Sequence, residues 1–88
     1  PYDDAVRKID DLHIGQELTG KVNNITAFGV FVDLGMKENG LIHISQLCDR
    51  FISSPSEVVS IGQNVRVRVM DIDTSRGRIA LTMKGVAQ

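Results

Sequence analysis

Apolar and polar residues alternate along most of this chain, the pattern of strands with one face buried. Leu18, Gly20 and Val22 interleave with Thr19, Lys21 and Asn23 and predict a first strand. Gly20 inside it predicts a sharp bend, as where a small sheet curls over. After a turn at Asn24–Ala27 comes Phe28-Gly29-Val30-Phe31-Val32-Asp33-Leu34, with Val30, Val32 and Leu34 on one face and Phe31 and Asp33 on the other. The segment from Gly35 to Gly40 reads as a polar loop with glycines at both ends. Leu41-Ile42-His43-Ile44 predicts a short third strand, and Ser45 is the expected N-cap of a helical turn that follows it. The stretch Asp49–Ser60 is irregular, with Ser54-Pro55-Ser56-Glu57 suited to a second short helical turn. Val65, Val67 and Val69 then alternate with Arg66, Arg68 and Met70 in a fourth strand. A hairpin at Thr74-Ser75-Arg76-Gly77 leads to a fifth, where Ile79, Leu81 and Met83 alternate with Arg78, Ala80, Thr82 and Lys84. Ile14-Gly15-Gln16-Glu17 and Ile61-Gly62-Gln63-Asn64 precede the first and fourth strands, and read as a shared turn rather than an internal repeat.

Five short strands of this kind predict an all-β domain whose sheet closes on itself, because closure removes exposed edges. The expected inward set is Leu18, Val22, Val30, Val32, Ile42, Ile44, Val65, Val67, Val69, Ile79, Leu81 and Met83. That core needs no disulfide or metal. The domain is expected over residues 14–84, with 1–13 as a linker or the end of a preceding domain and 85–88 as a tail. The leader carries Val6, Ile9 and Leu12 at loosely helical spacing among Asp3, Asp4, Asp10 and Asp11. A chain that begins at Pro1 is expected to be a fragment of something longer.

Three aromatics do not fit the core. Phe31 lies between Val30 and Val32, so alternation turns its ring outward. An exposed ring on a strand is a platform for base stacking, worth ~1–3 kcal/mol per base. The plain alternative is that Phe31 covers a gap under Arg50-Phe51-Ile52, with Phe51 packing that loop. On pattern alone the two stand level. Phe28, beside Gly29, either lets a planar group approach the backbone or plugs the barrel end. His43 faces away from Ile42 and Ile44 and offers an aromatic ring with hydrogen-bonding nitrogens. Lys21, Arg66, Arg68, Arg78 and Lys84 fall on polar strand faces, which suits phosphate neutralisation or, equally, ordinary solvation.

Composition narrows the classes. The 88 residues carry a net charge of −1, which argues against tight, purely electrostatic nucleic-acid binding. Cys48, the only cysteine, reads as a small, partly buried thiol and fits a reduced, intracellular compartment. His43 and Cys48 alone make no zinc set, so no metal or other cofactor is expected. No apolar run approaches the ~20 residues of a membrane span. Catalysis lacks support: there is no glycine-rich phosphate loop or nucleophile elbow, and Asp71 and Asp73 read as turn or arginine-pairing residues.

The same residues carry a family resemblance. Gly20-Lys21-Val22, Phe28 through Gly35, Gly40-Leu41-Ile42-His43-Ile44-Ser45, Val67 through Asp73 and Gly77 through Thr82 resemble the S1 RNA-binding domain, in order, over roughly residues 14–84. Asp49-Arg50-Phe51-Ile52 and Pro55-Ser56-Glu57-Val58-Val59 most resemble the C-terminal S1 domain of Tex-like transcription accessory proteins. The resemblance implies a five-stranded antiparallel OB-fold barrel with a helical turn after strand 3. It also implies a nucleic-acid patch that maps onto Phe28, Phe31, His43, Asp73 and Arg78, with Arg76 as a substitute for Arg78. Lys21 and Arg68 join that patch as local basic residues.

The expectation is therefore a non-catalytic, single-stranded RNA-binding module of a larger protein, monomeric in isolation. It would work beside other domains of its parent, with single-stranded DNA as a second ligand. A protein-interaction module is the alternative from a different class, favoured by the near-zero charge. Duplex DNA is a third, weakened by the lack of a helix suited to a major groove.

Overall fold

A computed structural model describes residues 11–48 and 52–88. The readings of Val6, Ile9 and the acids before Asp11, and of Arg50 and Phe51 as loop packing, lie outside the described residues. Five strands form, β1 (Glu17–Thr26), β2 (Gly29–Asp33), β3 (Asn39–His43), β4 (Asn64–Asp73) and β5 (Arg78–Thr82). Two 3-10 turns, η1 (Ile44–Gln46) and η2 (Pro55–Glu57), lie between β3 and β4. In η2 the Glu57 carboxylate accepts from the Ser53 and Ser54 amides at 2.7 and 2.8 Å, which fastens a turn that Pro55 starts.

The strands close in the order β1-β2-β3-β5-β4. The barrel is not antiparallel throughout, because β3 and β5 pair in parallel with Gly40 opposite Ile79 and Ile42 opposite Leu81. The reason is arithmetic. Direction reverses at each antiparallel ladder, and a ring with an odd number of strands cannot reverse at every step. One parallel seam is required, and it falls where no hairpin joins the two neighbours.

The alternation of the sequence becomes the inside and outside of this ring. Every expected inward residue is buried except Ile44, which is half-buried and packs against the core from η1. Leu12 and Val86 differ from expectation: both were placed outside the domain, and both are buried, with Leu12 part of the core cluster. Gln88 also donates to the Arg66 carbonyl at 2.7 Å, so the last residues pack along β4. A short apolar residue at the end of a barrel can cap the open end without belonging to a strand, which alternation does not signal. Cys48 is half-buried against the core and forms no disulfide among the described residues.

The likeness between residues 14–17 and 61–64 is larger than a turn. The Gly15 amide donates to the Val69 carbonyl at 2.7 Å, and the Gly62 amide to the Val22 carbonyl at 2.8 Å. Val69 returns a bond to Gln16, and Val22 to Gln63. Both glycines hold φ near +90°, a region L side chains rarely adopt. Each strand then bulges at the same point, between Val22 and Asn24 in β1 and between Val69 and Asp71 in β4. Asn24 and Asp71 each accept from the amide that follows. The hairpins β1–β2 and β4–β5 thus share one hydrogen-bond pattern about the β1·β4 ladder.

Candidate nucleic-acid interface

The outward face of β2, β3 and β5 is concave. Phe28, Phe31, Asn39, Leu41, His43, Ser45, Gln46, Met70, Arg78 and Ala80 are among the residues that line an open cavity of about 620 Å³. Strand register explains the grouping. Gly29 pairs with His43 and Phe31 with Leu41 across β2·β3, while Leu41 pairs with Ala80 across the parallel seam. Leu41 and Ala80 make an apolar floor, with Phe31 half-buried beside them and Phe28 exposed at the rim.

Gly29 is what lets β3 lie so close. A Cβ there would stand 2.5 Å from the Ile42 carbonyl oxygen and 3.3 Å from the His43 Cα. The glycine was expected to admit a ligand; it admits the neighbouring strand, and so places His43 next to the phenylalanines.

His43 is exposed, with an extended backbone at φ −63° and ψ 149°. It, not Ser45, is the N-cap of η1: its Nδ1 accepts from the Ser45 amide at 3.2 Å and lies 2.9 Å from the Ser45 hydroxyl. An imidazole nitrogen serves the capping role that a Ser oxygen usually fills.

Of the seven residues named from sequence, Phe28, Phe31, His43 and Arg78 meet at the cavity, and three do not line it. Asp73 is paired across the ladder with Arg78. Its carboxylate is engaged by the hairpin, accepting from the Ser75 hydroxyl at 2.7 Å and the Arg76 amide at 3.3 Å, with the Arg76 guanidinium at 3.7 Å. Arg76 therefore turns to Asp73, and Arg78 faces the cavity. Arg68 forms an ion pair with Glu17 at 2.8 Å and donates to the Gly85 carbonyl. Lys21 pairs across strands with Asn64 and Asp33, away from the cavity. Arg66 donates to the Thr19 hydroxyl at 3.0 Å. The basic face of β4 is thus tied to β1 rather than joined to the aromatics.

Met70, Leu41, Ala80 and Gln46 were not foreseen. Met70 is 43% exposed. It is the extra residue of the β4 bulge, since Val69 faces Leu81 and Asp71 faces Ala80. Alternation gave no sign of that bulge. Leu41 and Ala80 could have been found, because each is an apolar residue on the outward register of its strand.

Comparison with known proteins agrees with this geometry. The family model described as the S1 RNA-binding domain matches residues 11–84. The chain belongs to the S1 RNA-binding domain family. It is 45% identical over 83 residues to the transcriptional accessory protein Tex of Neisseria gonorrhoeae and 46% identical over 83 residues to protein YhgF of Escherichia coli. Each alignment covers 94% of this chain and 11% of the relative, so the S1 chain spans about a tenth of these relatives' length. Among solved structures, GSP13 of Bacillus subtilis matches with a TM-score of 0.78 and 36% identity over 82% of this chain and 55% of its own. The archaeal a/eIF2alpha–aDim2p–rRNA complex from Pyrococcus horikoshii matches with a TM-score of 0.81 and 24% identity, covering 88% of this chain and 47% of that one, a likeness of fold. The match begins at residue 11, which agrees with the burial of Leu12.

Proposed function

We propose that this S1 domain binds single-stranded RNA in the cavity on β2, β3 and β5, without catalysing a reaction. The observation that carries this reading is the convergence of Phe28, Phe31, His43 and Arg78 over one apolar floor. Exposed rings give sequence-tolerant stacking, and one guanidinium beside them gives a phosphate contact. With Arg66 and Arg68 turned toward β1, stacking contributes more than charge, which suits a chain of net charge −1. The described residues include no helix long enough to enter a major groove.

The domain acts as a monomer and as one module of an intracellular, transcription-related protein, beside other domains of that protein. The similarity to Tex and YhgF, of which this chain covers about a tenth, supports its place as one module of such a protein.

The test is titration of labelled single-stranded RNA at several salt concentrations, with single-stranded and duplex DNA as competitors. Wild-type binding that survives the double change Phe31→Ala and His43→Ala would remove the cavity from consideration. No binding to any nucleic acid at low salt, with measurable binding to other domains of the parent protein, would favour a protein-docking role for the same apolar floor.

A further inference from the structure

Two polar side chains at the η1 end of the cavity have their free valences set by neighbours that do not themselves stack or neutralise. His43 Nδ1 accepts from the Ser45 amide, with the Ser45 hydroxyl also within 2.9 Å. A ring nitrogen that accepts carries no proton in the neutral imidazole, so the proton sits on Nε2 and that atom is a donor. Gln46 is similar. Its Oε1 accepts from the Thr82 hydroxyl at 2.9 Å, and Thr82 Oγ1 in turn accepts from the Lys84 amide at 3.0 Å. Thr82 is buried at 7% exposure. The backbone carbonyl of Gln46 accepts from Met83 at 2.9 Å, which holds η1 against the end of β5. With its oxygen bonded to Thr82, Gln46 keeps both N–H donors to offer, and no acceptor meets them among the described residues.

We propose that Ser45 and Thr82 are positioning residues that set two side-chain donors at this end of the cavity. There His43 Nε2–H and the Gln46 amide N–H groups receive an acceptor oxygen of the bound strand. This rests on the RNA-binding reading and deepens it. Arg78 on the same lining is also a donor. The acceptor is a base carbonyl or a non-bridging phosphate oxygen, chemically alike to these donors. Ring stacking alone would leave the strand free to slide, and a donor pair at one end fixes which edge or which phosphate sits there.

Three measurements decide it. Nitrogen-15 spectra of the free domain should show the neutral His43 ring as the Nε2–H tautomer; the Nδ1–H tautomer would overturn the proposal. Gln46→Met removes the amide without adding charge and should weaken binding of a mixed-sequence oligoribonucleotide roughly tenfold, the size of one lost hydrogen bond. Thr82→Val should weaken it several-fold and Thr82→Ser should restore it, with all variants confirmed folded by their melting curves. A structural role alone would lower melting temperature and leave affinity unchanged. The Gln46→Met loss should shrink on RNA with methylphosphonate linkages, which lack the charge and one non-bridging oxygen, if the acceptor is phosphate, or vanish on abasic RNA if it is a base. A loss that persists undiminished on both would refute an acceptor in this site. If the wild type binds RNA and Gln46→Met binds equally well, this inference fails alone; if the wild type binds none, the reading beneath it fails as well.

Discussion

Replacing Gly29 by alanine tests how the fold builds the site. The new Cβ would lie 2.5 Å from the Ile42 carbonyl oxygen, about 0.9 Å inside the 3.4 Å at which ordinary contact begins, with Leu41 Cδ1 at 3.2 Å and His43 Cα at 3.3 Å. Two of these three atoms are backbone of β3, so a rotamer change cannot relieve the clash. The strands must part. The adjoining bond from the Ile44 amide to the Phe28 carbonyl, 2.8 Å long, would stretch toward 3.7 Å and be lost as a hydrogen bond.

Overpacking of this kind costs about 1–3 kcal/mol. For a domain of this size each kcal/mol lowers Tm by roughly 4–8 °C, so a fall of about 4–24 °C is expected by circular dichroism. The same displacement carries His43 away from Phe28 and Phe31, so RNA affinity measured well below Tm should also fall. Gly15→Ala provides the contrast. Nothing lies within 4 Å of its Cβ, but φ is +91°, so it should destabilise through backbone strain while leaving RNA affinity intact. A Gly29→Ala domain with wild-type Tm and wild-type affinity would refute the claim that this close approach positions the site.

Phe31→Ala and Phe28→Ala should each weaken RNA binding by about 1–3 kcal/mol in fluorescence titrations, with Phe28→Ala leaving Tm nearly unchanged because its ring is 56% exposed. Arg78→Gln should reduce the slope of log affinity against log salt by roughly 0.7, as for one phosphate contact on a single strand. Arg68→Gln should leave that slope alone and cost no more than about 1 kcal/mol in urea unfolding, since its pair with Glu17 is about two-fifths exposed. Leu12→Ala should destabilise the domain by about 2 kcal/mol or more, as a core truncation does; a neutral result would place Leu12 outside the folded unit.

Period-two alternation made most of the barrel legible, because each strand buries one face and a shift of one residue would expose it. Val30, Val32, Val65, Val67 and Val69 needed nothing more. Alternation failed where the ladder itself is irregular. At the β4 bulge the count slips by one, and Met70 joins the cavity lining. It failed also beyond the strand ends, where Leu12 and Val86 are buried without a periodic neighbour to announce them. For the site, Phe31 and His43 were readable as outward aromatics, while Phe28 entered only by resemblance. The placing of the cations needs more than alternation. Sequence shows that Arg66, Arg68 and Arg78 share outward faces, but only the order of strands shows that two of them look across at β1 and one at β3.

That order also explains why the cavity lies where it does. Two seams of the ring join strands that no hairpin connects, β1·β4 and β3·β5. Across β1·β4 the outward side chains are long and polar, and Arg66 and Arg68 reach over to Thr19 and Glu17. They cover that seam. Across β3·β5 the outward partners are Leu41 and Ala80, too short to reach one another's flanks. Among the described residues this seam stays open, and the long residues stand at its edges: Phe28 and Phe31 on β2's side, Arg78 on β5, His43 at the end of β3. A larger side chain at Ala80 would close the gap that the parallel seam leaves. Ala80→Phe should therefore abolish RNA binding while preserving the barrel, because its Cβ already points to solvent. If the strand still bound with wild-type affinity to Ala80→Phe, the open seam could not be where it lies.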